Sequence, residues 1–196
     1  MPEPFVVRLD TDLIDAIPDG AVQALARSSS SMAFGSKKLP PGFSTWPRDR
    51  TIPRDLIGTA AEIFCFDALI QNPDRRPENP NCLFNGATFA IFDHELAFLT
   101  EGVVGWRPPW QPGALAQLAR PTAHLFWEQL RGKAVSLARL AGAWEALTDE
   151  RLAQYKAALP DEWYGNGKMA DAALSYVAQV RDNIQAAVNE VMRVLK

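Results

Sequence analysis

The sequence predicts a mainly α fold with a small β component (α+β), and three observations carry that reading. Apolar residues recur at intervals of three and four through Pro53–Gln71 and again through Lys168–Leu195, the spacing of helix faces. Between these segments, two short apolar runs within Cys82–Phe92 turn at Asn85-Gly86, a type I′ hairpin signal. Only Pro4–Asp10 otherwise reads as a strand.

Taken in order, Thr11–Ile17 and Asp19–Arg27 read as short helices that open at capping residues, and the polar run Ser28–Ser31 ends the second. Phe34–Arg50 is rich in Gly, Pro and Ser and is expected to be one long loop, either a connector or an anion-binding or phosphoacceptor segment. Pro53–Gln71 is apolar nearly all round, opened by Thr51 with Pro in the first turn, so it belongs in the middle of the domain. Asp67 on that helix is costly to bury and is expected to hold backbone amides of a neighbouring loop. Thr100–Gly113, with Trp106, Pro108, Pro109, Trp110 and Pro112, reads as a rigid loop that either shapes a groove or packs on the body. Helices are expected at Ala114–Leu118, Thr122–Leu130, Ala134–Leu147 and Asp149–Ala158, broken by Gly132-Lys133 and Pro160. The last, Lys168–Leu195, would run roughly 42 Å as one helix. Its stripe of Met169, Ala173, Tyr176, Val180, Ile184, Ala187, Val191 and Leu195 suits docking on the body or a homodimer seam.

Composition bounds the function. A chain of 196 residues, 47% hydrophobic, can bury one real core. A net charge of −3 gives no general field for nucleic acid or an anionic membrane surface, although Arg48, Arg50 and Arg54 cluster locally. Two cysteines, Cys65 and Cys82, fit a reducing compartment, and with only His94 and His124 beside them no zinc site of four side chains is expected. Met1-Pro2-Glu3-Pro4 lacks a charged leader and no run reaches a membrane span, so the expectation is cytoplasmic.

The chemistry concentrates in Asn72-Pro73-Asp74-Arg75-Arg76-Pro77-Glu78-Asn79 and Phe92-Asp93-His94-Glu95. Asn79 follows Asp74 by five positions, the aspartate-to-asparagine interval of a kinase catalytic loop, and Asp93 follows Asn79 by fourteen. Phosphoryl transfer needs a carboxylate that orients the attacking hydroxyl and oxygen ligands that hold magnesium on the nucleotide. Asp74 suits the first task, and Asn79 with Asp93 the second. The hairpin returns Asp93 toward Asn79, as a shared metal requires. Asn-Pro-Asp is also good turn chemistry, so the interval gains weight only from the buried helix before it and the hairpin after it. His94 is expected to be a local hydrogen-bonding partner and Glu95 structural.

At these residues the chain resembles HipA-like kinases, a bacterial branch of the protein-kinase-like superfamily. Phe66-Asp67-Ala68-Leu69-Ile70 and Ile91-Phe92-Asp93-His94-Glu95-Leu96-Ala97-Phe98 resemble the flanks of that group's loop, as do Phe34-Gly35-Ser36 and Leu159-Pro160-Asp161-Glu162-Trp163. The Asp-Arg-x-x-x-Asn and Ile-x-Asp-x-x-x-Ala-Phe patterns are also similar to type II phosphatidylinositol 4-kinases. The resemblance covers most of residues 5–195, with residues 66–98 its specific part. It implies a kinase-like carboxy-terminal lobe across 1–196: a hinge-like strand at 1–10, a catalytic core at 11–99 and a helical subdomain at 100–196. It further implies ATP and Mg²⁺ as cofactors, Asp74 as the catalytic carboxylate, Asn79 and Asp93 as metal ligands, Val7 of the hinge strand beside the nucleotide, and Arg75 on phosphate charge.

No Gly-x-Gly-x-x-Gly and no Val-Ala-x-Lys occurs in the chain, and Pro4–Asp10 resembles the strand that follows the lobe carrying them. The expectation is therefore a carboxy-terminal lobe alone, its amino-terminal lobe supplied by a protein partner, dispensable, or lost with catalysis. Two functions follow: a Ser/Thr protein kinase transferring the terminal phosphate of ATP to a protein substrate, or a pseudokinase scaffold or half of a split kinase. An exposed apolar patch around Phe5 and Val7 would favour the scaffold. A lipid kinase fits less well, because no membrane-binding patch is evident.

Overall fold

The computed structural model describes residues 1–100, 103–164 and 168–196. Strand β1 (Pro4–Arg8) pairs antiparallel with β2 (Met32–Ser36), with Val7 opposite Ala33. Between them lie α1 (Thr11–Asp15) and α2 (Gly20–Ser28), both opened by aspartates: Asp10 accepts from the Leu13 amide at 2.8 Å and Asp19 from the Ala21 amide at 2.8 Å. β2 corrects the expectation of a continuous loop from Phe34. Ser30 Oγ accepts from the Met32 amide at 3.2 Å, turning the chain so that Met32-Ala33-Phe34 takes the edge of β1. The neighbouring Ser28 and Ser29 hydroxyls donate to the Leu25 carbonyl, so the serine run finishes a helix.

Gly35 is required by the close approach of Val7, whose Cγ2 would lie 2.7 Å from a Cβ placed there. Valine has one stiff rotatable bond, so the strands must part to admit a methyl. Gly35→Ala is expected to cost about 1 kcal/mol or more. Amide exchange should quicken across β1 and β2 while the buried helix below is unaffected; unchanged exchange in the ribbon would count against the contact.

The core gathers on α3 (Ile57–Leu69), entered through a 3₁₀ turn at Arg54–Leu56. The helix starts later than its sequence suggests. Thr51 does not cap it; Pro53 opens the 3₁₀ turn without any side-chain cap. Phe64, Cys65 and Leu69 have no exposed surface. Burial pushes both thiols up, Cys82 to about 12, so neither is a ready nucleophile.

A second sheet, ordered β3 (Ser44–Thr45), β4 (Cys82–Phe84) and β5 (Phe89–Ile91), lies beside α3, and β3 again falls inside the expected loop. The hairpin turns at the expected place by a different device. Phe84 pairs with Phe89, leaving a four-residue loop in which Asn85 Oδ1 accepts from the Ala87 and Thr88 amides, and Gly86 alone takes a positive φ, of 98°. An asparagine side chain that caps its own turn replaces the type I′ geometry.

The helical half holds a 3₁₀ turn (Ala116–Leu118), α4 (Trp127–Leu130), α5 (Ala138–Glu145), α6 (Asp149–Ala157), α7 (Asp161–Tyr164), α8 (Lys168–Asp182) and α9 (Ile184–Leu195). Several are shorter than expected, and α7 follows Pro160 where no helix was expected. The long last helix is two: Asn183 Nδ2 donates to the Gln179 carbonyl at 2.8 Å, and its backbone (φ −119°) departs from helical values. The break lets α9 bury Ile184, Ala187, Val191, Val194 and Leu195 within the chain, packed on α3 and α5. Trp106 and Trp110 pack near Tyr176, and Trp106 Nε1 donates to Gln71 Oε1 at 3.2 Å, so this part of the loop lies on the body; Glu101 and Gly102 are outside the described residues. Among the described residues no helix is long and apolar enough to cross a membrane.

Candidate functional site

The chain leaves α3 through Gln71 at φ 57° and enters the 72–81 loop, which folds around a buried ion pair. Arg75 and Asp67 are 0% and 1% exposed. Asp67 accepts from Arg75 Nε at 2.6 Å, Arg75 Nη2 at 3.2 Å, Asn72 Nδ2 at 2.9 Å and His124 Nε2 at 3.0 Å. His124 Nδ1 accepts from the Phe126 amide at 3.1 Å, which fixes the tautomer whose Nε2 donates. Asp67 therefore holds side chains rather than the expected loop amides. The reason is distance along the chain: His124 arrives from beside α4, where no local signal in the sequence marks it.

Arg75 is corrected as well. Its guanidinium is spent within the protein, donating also to the Asn81 carbonyl, to the Phe92 carbonyl at 3.5 Å and to His94 Nε2 at 2.8 Å. It cannot reach a phosphate. It ties α3, the loop and the end of the hairpin together instead. Burial, and then the Arg75 charge, push His94 below its ordinary value, so the neutral ring can accept a hydrogen bond from Arg75 Nη2.

With that frame behind it, Asp74 faces outward with 17% of its side chain exposed. Its amide donates to Asn72 Oδ1 at 3.2 Å, so the Asp67–Asn72 bond sets where it sits. Asp74 Oδ2 accepts from Asn79 Nδ2 at 2.6 Å and from Asn81 Nδ2 at 3.1 Å, while among the described residues Oδ1 meets only the exposed Arg76, at 3.3 Å. Both amide donors converge on one oxygen, so Oδ1 is the more accessible of the two. Asn79 Nδ2 is committed to Asp74, so the atom it offers a cation is Oδ1.

Asn81 was not singled out by sequence, and it is the link between the two motifs. Its carbonyl accepts from the Phe92 amide at 3.2 Å, extending the β4–β5 ladder by one pair and delivering Asp93 just beyond it. Asp93 is exposed at φ 56°, a backbone state that aspartate tolerates better than most residues. Gln71, Asn81, Asp93 and Phe98 are the non-glycine residues with positive φ among those described, and all border this loop and hairpin. Such conformations persist where surrounding structure imposes them.

Of the expected site residues, Asp74 and Asn79 are directly bonded and Asp93 lies one residue past the extended ladder. Val7 stands apart, half-buried in the β1–β2 ribbon. A hollow of about 580 Å³ joins the ribbon to the hairpin, with Pro2, Lys38, Pro40, Leu83 and Phe92 in its walls; Val7 does not line it. A larger apolar cavity of about 800 Å³ lies across α3, with His94 in its wall.

The oxygen donors suit magnesium better than a softer ion. Among the described residues no three His, Cys, Asp or Glu side chains gather closely enough to hold a metal alone. A hard ion that takes one or two protein oxygens and completes its shell with waters and phosphate is the kind that Asn79 Oδ1 or the Asp93 carboxylate, as oxygen donors, could hold.

A family model described as HipA-like kinase matches residues 1–105, which span the ribbon, α3, the loop and the hairpin. No curated protein and no solved structure matches the chain.

Proposed function

The chain belongs to the HipA-like kinase family, and from that premise we propose that it transfers the terminal phosphate of ATP to a Ser or Thr hydroxyl of a protein substrate. The observation that carries this reading is the bonded set Asp74–Asn79–Asn81, coupled through the Asn81–Phe92 backbone bond to Asp93.

Asp74 Oδ1 orients the substrate hydroxyl and takes its proton as the hydroxyl oxygen bonds to the terminal phosphorus. The bond to the bridging oxygen breaks and its electron pair leaves on ADP. Asn79 and Asn81 hold the Asp74 carboxylate in one orientation, which reduces the reorganisation the step requires. Asn79 Oδ1 and the Asp93 carboxylate would hold magnesium, which when bound would neutralise charge on the phosphate oxygens. The nucleotide base lies in the hollow walled by Leu83 and Phe92. Because the sequence carries neither kinase glycine-loop nor clamping-lysine motif, the cover over the nucleotide comes from a lobe outside these residues.

The second reading, a pseudokinase scaffold or half of a split kinase, is favoured by the amino-terminal surface. No residue from 1 to 45 is fully buried, and Phe34 is 71% and Phe5 45% exposed, apolar area that a protein partner would cover.

Calorimetric titration with ATP and magnesium separates the two. Binding is expected to require magnesium, to weaken by about tenfold or more in Asp93→Ala, and to persist in Asp74→Ala, which loses transfer. Magnesium-independent binding that ignores Asp93 would sink the enzyme reading; no binding at millimolar ATP would favour the scaffold.

A further inference from the structure

The segment after β2 builds one wall of the 580 Å³ hollow and brings two adjacent lysines to it, Lys37 and Lys38. Their situations differ. Lys37 is tied back to the first strand's approach: its Nζ meets Glu3 Oε2 at 3.2 Å and its amide donates to the Glu3 carbonyl at 2.9 Å. Lys38 is exposed and, among the described residues, has no carboxylate partner. Pro40 and Pro41 stiffen the wall beyond it, and Gly42, at φ 100°, turns the chain toward β3.

The opposite wall belongs to the catalytic hairpin. Phe92 pairs in backbone with Asn81 and therefore shares a face with Leu83, the next outward residue on β4, while Cys82, Phe84 and Ile91 face the core. Phe92 is also the residue before Asp93. The hollow thus has an apolar floor of Leu83 and Phe92 and the exposed Lys38 ammonium on the other side, while Asp93, next in the chain after Phe92, lies outside its lining. A flat apolar group joined to a polyanion matches these two surfaces.

We propose that Lys38 is the cation that clamps the phosphates of a nucleoside triphosphate seated in this hollow, so that this lobe supplies a phosphate contact of its own. The proposal rests on the phosphotransfer reading of Asp74, Asn79 and Asp93 for the nucleotide's orientation. An ammonium on a flexible stem is a suitable point charge for phosphate oxygens. A volume near 580 Å³ lies in the range of small-molecule sites.

The test is titration of the intact chain with ATP plus magnesium, and separately with adenosine, in wild type, Lys38→Gln, Lys38→Arg, Lys37→Gln and Asp93→Ala. Lys38→Gln is expected to weaken ATP by about tenfold and to leave adenosine unchanged, since only the phosphates are addressed. Lys38→Arg should keep most of the affinity, and Lys37→Gln all of it. Lys38 is exposed, so circular dichroism of these variants should match wild type. The proposal is overturned if Lys38→Gln binds ATP as wild type does, or if wild type binds no ATP. The two readings fail separately: an ATP affinity that depends on Asp93 and not on Lys38 keeps the kinase site without this clamp. Dependence on Lys38 and not on Asp93 keeps an anion seat and removes the kinase reading.

Discussion

Replacing Asp67 by alanine is expected to lower the free energy of unfolding by about 3–5 kcal/mol, the cost of stranding a buried charge. The carboxylate receives four hydrogen bonds, from Asn72, His124 and twice from Arg75, and its partner guanidinium has no exposure to water. Alanine leaves Arg75 buried without a countercharge and frees Asn72, which positions the Asp74 amide. Urea unfolding measures the loss, and a change under about 1 kcal/mol would contradict the network's role. Asp67→Asn keeps the volume but sets its own N–H group against donors, so it should recover little. Acid supplies an independent check. Burial pushes the Asp67 carboxyl up, but the hydrogen bonds from His124 and Arg75 and the positive charge beside it outweigh this and bring it from 3.8 to about 2. A folded value below the unfolded one means that its stabilisation is complete above 3.8 and disappears as the pH falls toward about 2. The wild type should lose stability through that window more steeply than Asp67→Ala.

Trp46→Ala is expected to cost about 3–5 kcal/mol, the range for deleting a buried aromatic. Trp46 is 1% exposed and makes edge contacts with Phe84, Phe89 and Phe126 at centroid distances of 5.1, 5.2 and 5.8 Å. It joins the strand layer to the helical half, because Phe84 and Phe89 sit on the hairpin and Phe126 precedes α4. Arg50 closes this cluster from outside, its guanidinium 4.4 Å from the Phe84 ring centroid, so one member of the basic group is held on aromatic faces. Among the described residues the buried indole N–H has no partner. Trp46→Phe removes that unsatisfied donor together with the second ring and should cost distinctly less than alanine. Equal losses for both would place the energy in the indole alone, against the packing account. Thermal unfolding of the two variants in parallel decides this.

Much of the framework was legible because it is local. α3 announces itself by a continuous apolar run, the hairpin by its turn residues, and α2 by Asp19, while α1 was expected to open at Thr11 and is capped by Asp10 one residue earlier. The spacing of Asp74, Asn79 and Asp93 needed no tertiary information, since all three lie on one loop and the hairpin that follows it, and of these Asp74 and Asn79 are bonded directly. Illegible were the features that depend on partners far along the sequence. Met32–Ser36 is short and half polar, and becomes a strand because β1 offers an edge. The last helix carries one stripe throughout and no proline, yet Asn183 breaks it so that α9 can settle on α3 and α5.

The functional loop shows the same division at the scale of single side chains. The sequence by itself determined which groups could do the chemistry: a carboxylate and an amide at a kinase interval, followed by a second carboxylate beyond a hairpin. Only the tertiary structure decided what holds them. Arg75, beside Asp74 in sequence, turned inward because Asp67 and His124 form a buried anionic and hydrogen-bonding seat for it. Asn81 became the link to Asp93 because its side chain reaches Asp74 while its carbonyl pairs with Phe92. Covalent spacing limits which groups can meet, but desolvation and unmet hydrogen bonds select which of them turn inside, and those costs are set only once distant segments have packed.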